Sequence, residues 1–183
     1  MPFYELIKNR RSIRQYIDRK IEEEKINRLT AAALMSPSSK NSKPWEFIIV
    51  ENRDTLVKLS ESRNQGSQML ARAPLAIVVL ADTAKSDVWP EDASIAALMI
   101  QLQAQDLGLG SCWVQIYQRW KDETQSSEDF IRKVLEIPEK YAVLCVISIG
   151  YSNEERLPHE PEKLANDKIH RELFLLILTF LIH

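Results

Sequence analysis

Residues Glu91 to Leu107, EDASIAALMIQLQAQDL, place the strongest limit on how this chain can fold. Pro90 suits the first turn of a helix and cannot continue one from its N-terminal side. Glu91 and Asp92 put negative charge where the first N–H groups are unpaired. Ala93, Ile95, Ala96, Ala97, Leu98, Met99, Ile100, Leu102 and Ala104 then run almost all the way round the helix, and Gly108 supplies its stop. Roughly 17 residues in such a helix span about 25 Å. A helix apolar on nearly every face must be covered on nearly every face. The chain's own core is large enough to do this alone, or a second subunit can cover one side. The small Ala93, Ala96 and Ala97 would permit close approach, and periodicity does not choose between the two.

The remaining pattern mixes helices and strands without strict alternation, which predicts an α+β architecture. Helices are expected over Pro2–Asn9, Glu22–Met35, Arg53–Ser62 and Ser127–Glu136, and strands over Trp45–Val50, Leu75–Ala81, Trp113–Tyr117 and Tyr141–Gly150. Two of these strands, LAIVVLA and YAVLCVISIG, are continuous apolar runs and should be buried on both faces. A charged, proline-containing tail follows from Glu154 to Glu172. Residues 1–172 read as one domain, and residues 173–183 as an apolar C-terminal tail. Its run Leu173 to Ile182 is too short to span a bilayer.

Composition narrows the function. A net charge of −2 over 183 residues gives no broad basic field, so no nucleic-acid partner is expected. No stretch reaches the roughly 18 apolar residues of a membrane span. Cys112 and Cys145 each sit in apolar sequence, which favours free thiols in a reducing, cytoplasmic setting. Gly108-Leu-Gly110-Ser lacks the third glycine of a dinucleotide fingerprint and follows a helix instead of a strand. The histidines and cysteines have no metal-ligand spacing, and no serine has the GxSxG elbow.

Two segments could carry chemistry. Arg10, Arg11 and Arg14, grouped around Ser12, can grip a phosphate through guanidinium forks and a hydroxyl, or form only a solvated basic corner. The loop SPSSKNSKP is stiffened by Pro37 and Pro44 and offers Ser38, Ser39 and Asn41 at its tip. Such a loop can hold a polar heterocycle, or simply connect a helix to a strand.

In order, RRSIRQY, SPSSKNSKPWEFIIV, GLGSCW after the buried helix and ISIGY resemble the nitroreductase family, from Phe3 to about Leu173. The resemblance implies a central mixed sheet flanked by helices, in an intertwined homodimer with the long helix at its core. It implies FMN at the subunit interface, contacted by Arg10, Arg11, Ser12 and Arg14 of one chain and Pro37, Ser38, Ser39 and Asn41 of the other. Gln115 falls where the family places backbone contacts to the flavin edge, and Lys168 or Arg171 matches a C-terminal basic residue near the phosphate. The implied activity is ping-pong transfer of hydride from NAD(P)H through flavin to nitroaromatics, quinones or other electron-poor acceptors. Reductive dehalogenation, flavin fragmentation and a non-catalytic flavin-binding module are the alternatives. Lys43 departs from the uncharged residue many members carry before Pro-Trp, and the apolar tail is not a family feature.

Overall fold

The computed structural model describes residues 1–174. The chain runs α1 (Phe3–Asn9), α2 (Glu23–Leu34), β1 (Trp45–Val50), α3 (Arg53–Ser60), β2 (Leu75–Asp82), α4 (Trp89–Asp106), β3 (Gly110–Gln115), α5 (Ser127–Leu135) and β4 (Tyr141–Gly150), with short 3₁₀ turns between and after. The α+β architecture is therefore as expected. The apolar tail lies outside the described residues from position 175 onward.

The strands form one sheet in the order β1-β2-β4-β3. Every ladder in it is antiparallel. The mixed character expected from the family reduces, among the described residues, to a single parallel bridge between Ser12 and Ser111. Strand β3 starts at Gly110 and ends at Gln115, shifted toward the N-terminus from the expected Trp113–Tyr117. A bulge explains the early end. Val79 pairs with Cys145 and Leu80 with Val143, so Leu144 is an extra residue in β4. The Leu144 carbonyl accepts from both Ile116 N (3.1 Å) and Tyr117 N (3.0 Å), and the ladder cannot continue. Helix α3 stops at Ser60, two residues short of the expected end, because Ser62 N turns back to Leu59 O.

Helices α2 and α4 cover one face of the sheet, against Ile77, Val79, Ala81, Leu144 and Ile147. Helices α3 and α5 cover the other, against Ala76, Val78, Leu80, Val143 and Val146. With both faces covered, the uninterrupted apolar runs of β2 and β4 are what burial requires. Helix α4 packs along the sheet with Ala93, Ala96, Ala97, Ile100 and Ala104 fully buried. The chain's own core thus uses the small residues that a partner helix could have used. What α4 leaves outside is Ile95, 39% exposed, and Leu98, 47% exposed.

Both cysteines are free and buried. Cys145 belongs to the core under α4, whereas Cys112 shares a face with Val114, on the side of α3 and α5. The sheet stands between them, so they cannot bridge. Burial raises both thiols above their ordinary range. The expected result is negligible reaction with a thiol reagent in the native state and two reactive thiols after denaturation without reductant. Detection of a disulfide by mass would contradict this.

Candidate functional site

The arginine segment crosses the end of the sheet as an arm. Arg10 caps α1, its N–H bonded to Leu6 O. Ile13 N donates to Ser111 O at 2.9 Å, Ile17 N to Tyr151 O at 2.9 Å, and Asn153 N to Gln15 O at 2.9 Å. These bonds tie the arm to the ends of β3 and β4. Close approach is possible because both strands end in glycine there: a Cβ on Gly110 would lie 2.8 Å from the Ile13 side chain, and one on Gly150 2.7 Å from the Tyr16 ring. Arg10, Arg11 and Ser12 are half-buried and Arg14 is exposed. The Glu154 carboxylate accepts from Arg14 N and Gln15 N and pairs with Arg156 at 2.6 Å. Burial pulls that carboxyl up, but the two backbone donors and Arg156 outweigh it and hold it below its ordinary value. Arg11 Nη1 donates to the Leu157 carbonyl.

The polar loop forms a second cluster at the N-terminal end of α4. Lys40, Asn41 and Lys43 all have positive φ, at 52°, 54° and 46°. Such backbone is costly for residues with a Cβ and is held here by surrounding bonds. Ser38 Oγ accepts from Lys43 N at 2.9 Å, and Ser39 N donates to Asp92 Oδ1 at 2.7 Å. Asp92, only 3% exposed, also accepts from Ser86 Oγ at 2.7 Å. In sequence Asp92 carried only a helix-dipole role; its work in anchoring the loop is a tertiary result. Pro37 and Asn41 are exposed, and Ser42 Oγ is buried with no protein partner. Ser39, Lys40 and Ser42 border a cavity of about 250 Å³ against Ala84 to Asp87.

The remaining expected residues are placed less centrally. The Gln115 side chain is used internally, accepting from Trp113 Nε1 at 2.8 Å and donating to Tyr117 O at 3.0 Å. Lys168 closes a 3₁₀ turn, Asn166–Lys168, and is exposed, as is Arg171. The tail returns along α1, where His159 N donates to Lys8 O at 2.9 Å. Among the described residues, neither Lys168 nor Arg171 makes a hydrogen bond or ion pair with the arm. Glu154 and Leu157, which do touch it, had only a charged-tail composition in the sequence and gave no signal of that contact.

The two clusters lie at opposite ends of the sheet. The arm sits beside Ser111, which pairs with Ile149 near the end of β4. The loop enters β1 where Pro44 O accepts from Asp82 N at 2.9 Å, and Asp82 pairs with Tyr141, the first residue of β4. Along β2, seven steps separate Asp82 from Leu75, the partners of Tyr141 and Ile149, about 24 Å at the usual rise.

Comparison with known proteins decides the family. The model of the nitroreductase family matches residues 7–66 and 61–151. The chain belongs to the nitroreductase family. Among relatives, a proposed NADH dehydrogenase/NAD(P)H nitroreductase of Archaeoglobus fulgidus is 42% identical over 172 residues, covering 91% of this chain and 95% of that one. An FMN-dependent nitroreductase of Clostridium difficile R20291 shares the nitroreductase fold with a TM-score of 0.91 and 49% identity, over 92% of this chain and 98% of that one. The 5,6-dimethylbenzimidazole synthase of Rhodospirillum rubrum is 26% identical over 187 residues, covering 85% of this chain and 84% of that one.

Proposed function

We infer that this nitroreductase is an FMN-dependent oxidoreductase in which bound flavin passes hydride, by a ping-pong cycle, from NAD(P)H to nitroaromatic, quinone or related electron-poor acceptors. The observation that carries the reading is a cationic arm and a polar loop, at opposite ends of one sheet, whose donors suit the two ends of such a cofactor. Arg10, Arg11, Ser12 and Arg14 supply the positive charge and hydroxyl that a phosphate monoester and a developing negative charge on the ring require. Ser38, Ser39 and Asn41 supply hydrogen bonds for a dione edge, and the unpaired Ser42 Oγ adds unused polar capacity beside them. Gln115 contributes through its backbone, since its side chain is already committed. Lys168 and Arg171 sit on the tail as further cations for the phosphate side.

The separation of about 24 Å between arm and loop exceeds the reach of one FMN, so one cofactor touches both only if they come from two chains. Homodimerisation with flavin at the subunit interface follows, and the exposed Ile95 and Leu98 of α4 are the apolar surface for it. Residues 1–172 act as the single FMN-binding unit of each subunit. No helix among the described residues is long and apolar enough to cross a membrane. The two free thiols support a cytoplasmic location.

The relationship to 5,6-dimethylbenzimidazole synthase supports a second reading, in which the same site does other flavin chemistry. Purified protein distinguishes these. The expected preparation is yellow, bleached anaerobically by NADH or NADPH and recoloured by a quinone or nitroaromatic. Bleaching without recolouring by either acceptor would favour the second reading. A preparation that binds FMN but is not bleached by either nicotinamide would leave a binding module, and one that takes up no FMN would overturn all three.

A further inference from the structure

Tyr16 is a tyrosine whose hydroxyl is buried for a reason the family reading does not supply. Its residue is 7% exposed and packs with Ile13 and Ala73 under the arm. The hydroxyl donates its one proton to the Ile13 carbonyl at 2.6 Å. Ser148 Oγ, 2.8 Å away near the C-terminal end of β4, must then be the donor to the phenol oxygen. Burial holds the phenol far above its ordinary range, so it remains a donor at any physiological pH.

The bond to Ile13 closes a loop of four residues, Ile13 to Tyr16, with Arg14 and Gln15 at its tip. Outside the loop, Glu154 fixes the N–H groups of those same two residues. Inside it, the Ser148–Tyr16–Ile13 chain of hydrogen bonds fixes the backbone to the sheet. Gly150 leaves room for the Tyr16 ring, whose nearest atom would be 2.7 Å from a Cβ there. The backbone that carries Arg14 is therefore tied to β4 on one side and to Glu154 on the other, the condition for a preorganised ligand site.

Resting on the FMN reading above, we propose that Tyr16 and Ser148 are positioning residues that hold Arg14 in the conformation that binds flavin. Neither side chain touches the cofactor; both act through the Ile13–Tyr16 loop. A purely structural role would weaken folding and lower flavin affinity alike whether or not Arg14 is present. A positioning role acts only when Arg14 is there to be positioned.

Apo-protein of the wild type, Tyr16→Phe, Arg14→Ala and the double variant would be titrated with FMN, with thermal unfolding of each flavin-free protein measured beside it. Tyr16→Phe is expected to weaken FMN binding about tenfold, the effect of losing one or two buried hydrogen bonds. In the Arg14→Ala background the same change is expected to alter affinity by less than about twofold, the signature of coupled residues. Equal losses in both backgrounds, or no loss in the first, would overturn the proposal. Should Tyr16→Phe fail to fold, Ser148→Ala keeps the phenol and its bond to Ile13. It is expected to weaken FMN binding about threefold, again only with Arg14 present, and a loss independent of Arg14 would overturn the proposal equally. Wild-type protein that binds no FMN would instead overturn the cofactor reading, and that result is read without any variant.

Discussion

Replacing Leu98 with Asp is expected to split the proposed dimer into folded monomers that retain little flavin. Leu98 is 47% exposed on α4 beside Ile95, so a charge there is tolerated by the single chain. At a subunit interface the same carboxylate would be buried without a partner, at a cost of several kcal/mol. Because arm and loop of one subunit lie about 24 Å apart along the sheet, monomers would hold only half of each cofactor site. Solution mass by light scattering, far-UV circular dichroism and flavin content together check the outcome. Ala97→Asp gives the necessary contrast. Ala97 is fully buried between α4 and the sheet, and its substitution is expected to cost the subunit its fold. A Leu98→Asp protein with unchanged mass and full flavin would show that this face of α4 is not the interface.

Arg11→Ala is expected to lower FMN affinity about 10- to 100-fold, the loss of one charge-assisted contact worth roughly 1.5–3 kcal/mol. Riboflavin, which has no phosphate, should lose less. The contact of Arg11 with the Leu157 carbonyl adds a consequence that the sequence did not suggest: the variant should release the tail around Leu157 as well. That bond is exposed, so flavin-free stability should fall by no more than about 1 kcal/mol. Calorimetric titration of apo-protein with both flavins, with amide exchange across residues 154–160 as the readout for the tail, checks both parts. Equal losses for FMN and riboflavin would remove Arg11 from the phosphate and leave it as a clasp for the tail.

Local chemistry made most elements legible. Pro90 and Gly108 marked the ends of α4, and the β-branched runs at Leu75 and Tyr141 could only be buried strands. Ser126 accepts from Asp129 N at the start of α5, and Asn52 from Thr55 N at the start of α3, so these helices begin where short-range polar contacts allow. Strand β3 ends before the expected Tyr117 because its end depends on an extra residue in β4, and a bulge in a partner strand leaves no mark on the neighbour's sequence.

The candidate site divides in the same way. Residue types left the arginines, Ser12 and the Pro37–Asn41 loop open between a binding site and ordinary surface, and it was the resemblance of the ordered motifs to the nitroreductase family that named them as flavin contacts. Their anchors could not. Asp92, Tyr16, Ser148 and Glu154 reach the site from 53, 4, 136 and 142 residues away from Ser39 and Ser12, distances read from their positions in the chain. Local periodicity was enough for the α+β class and the burial of α4, whereas the residues proposed for flavin came from the ordered motifs shared with the nitroreductase family. Packing, and not pattern, turns the alanines of α4 toward their own sheet, leaves Ile95 and Leu98 outside, and puts arm and loop at opposite ends of one sheet. Those outcomes depend on strand order and on close approach at Gly110 and Gly150, which are set by contacts between residues far apart in the chain.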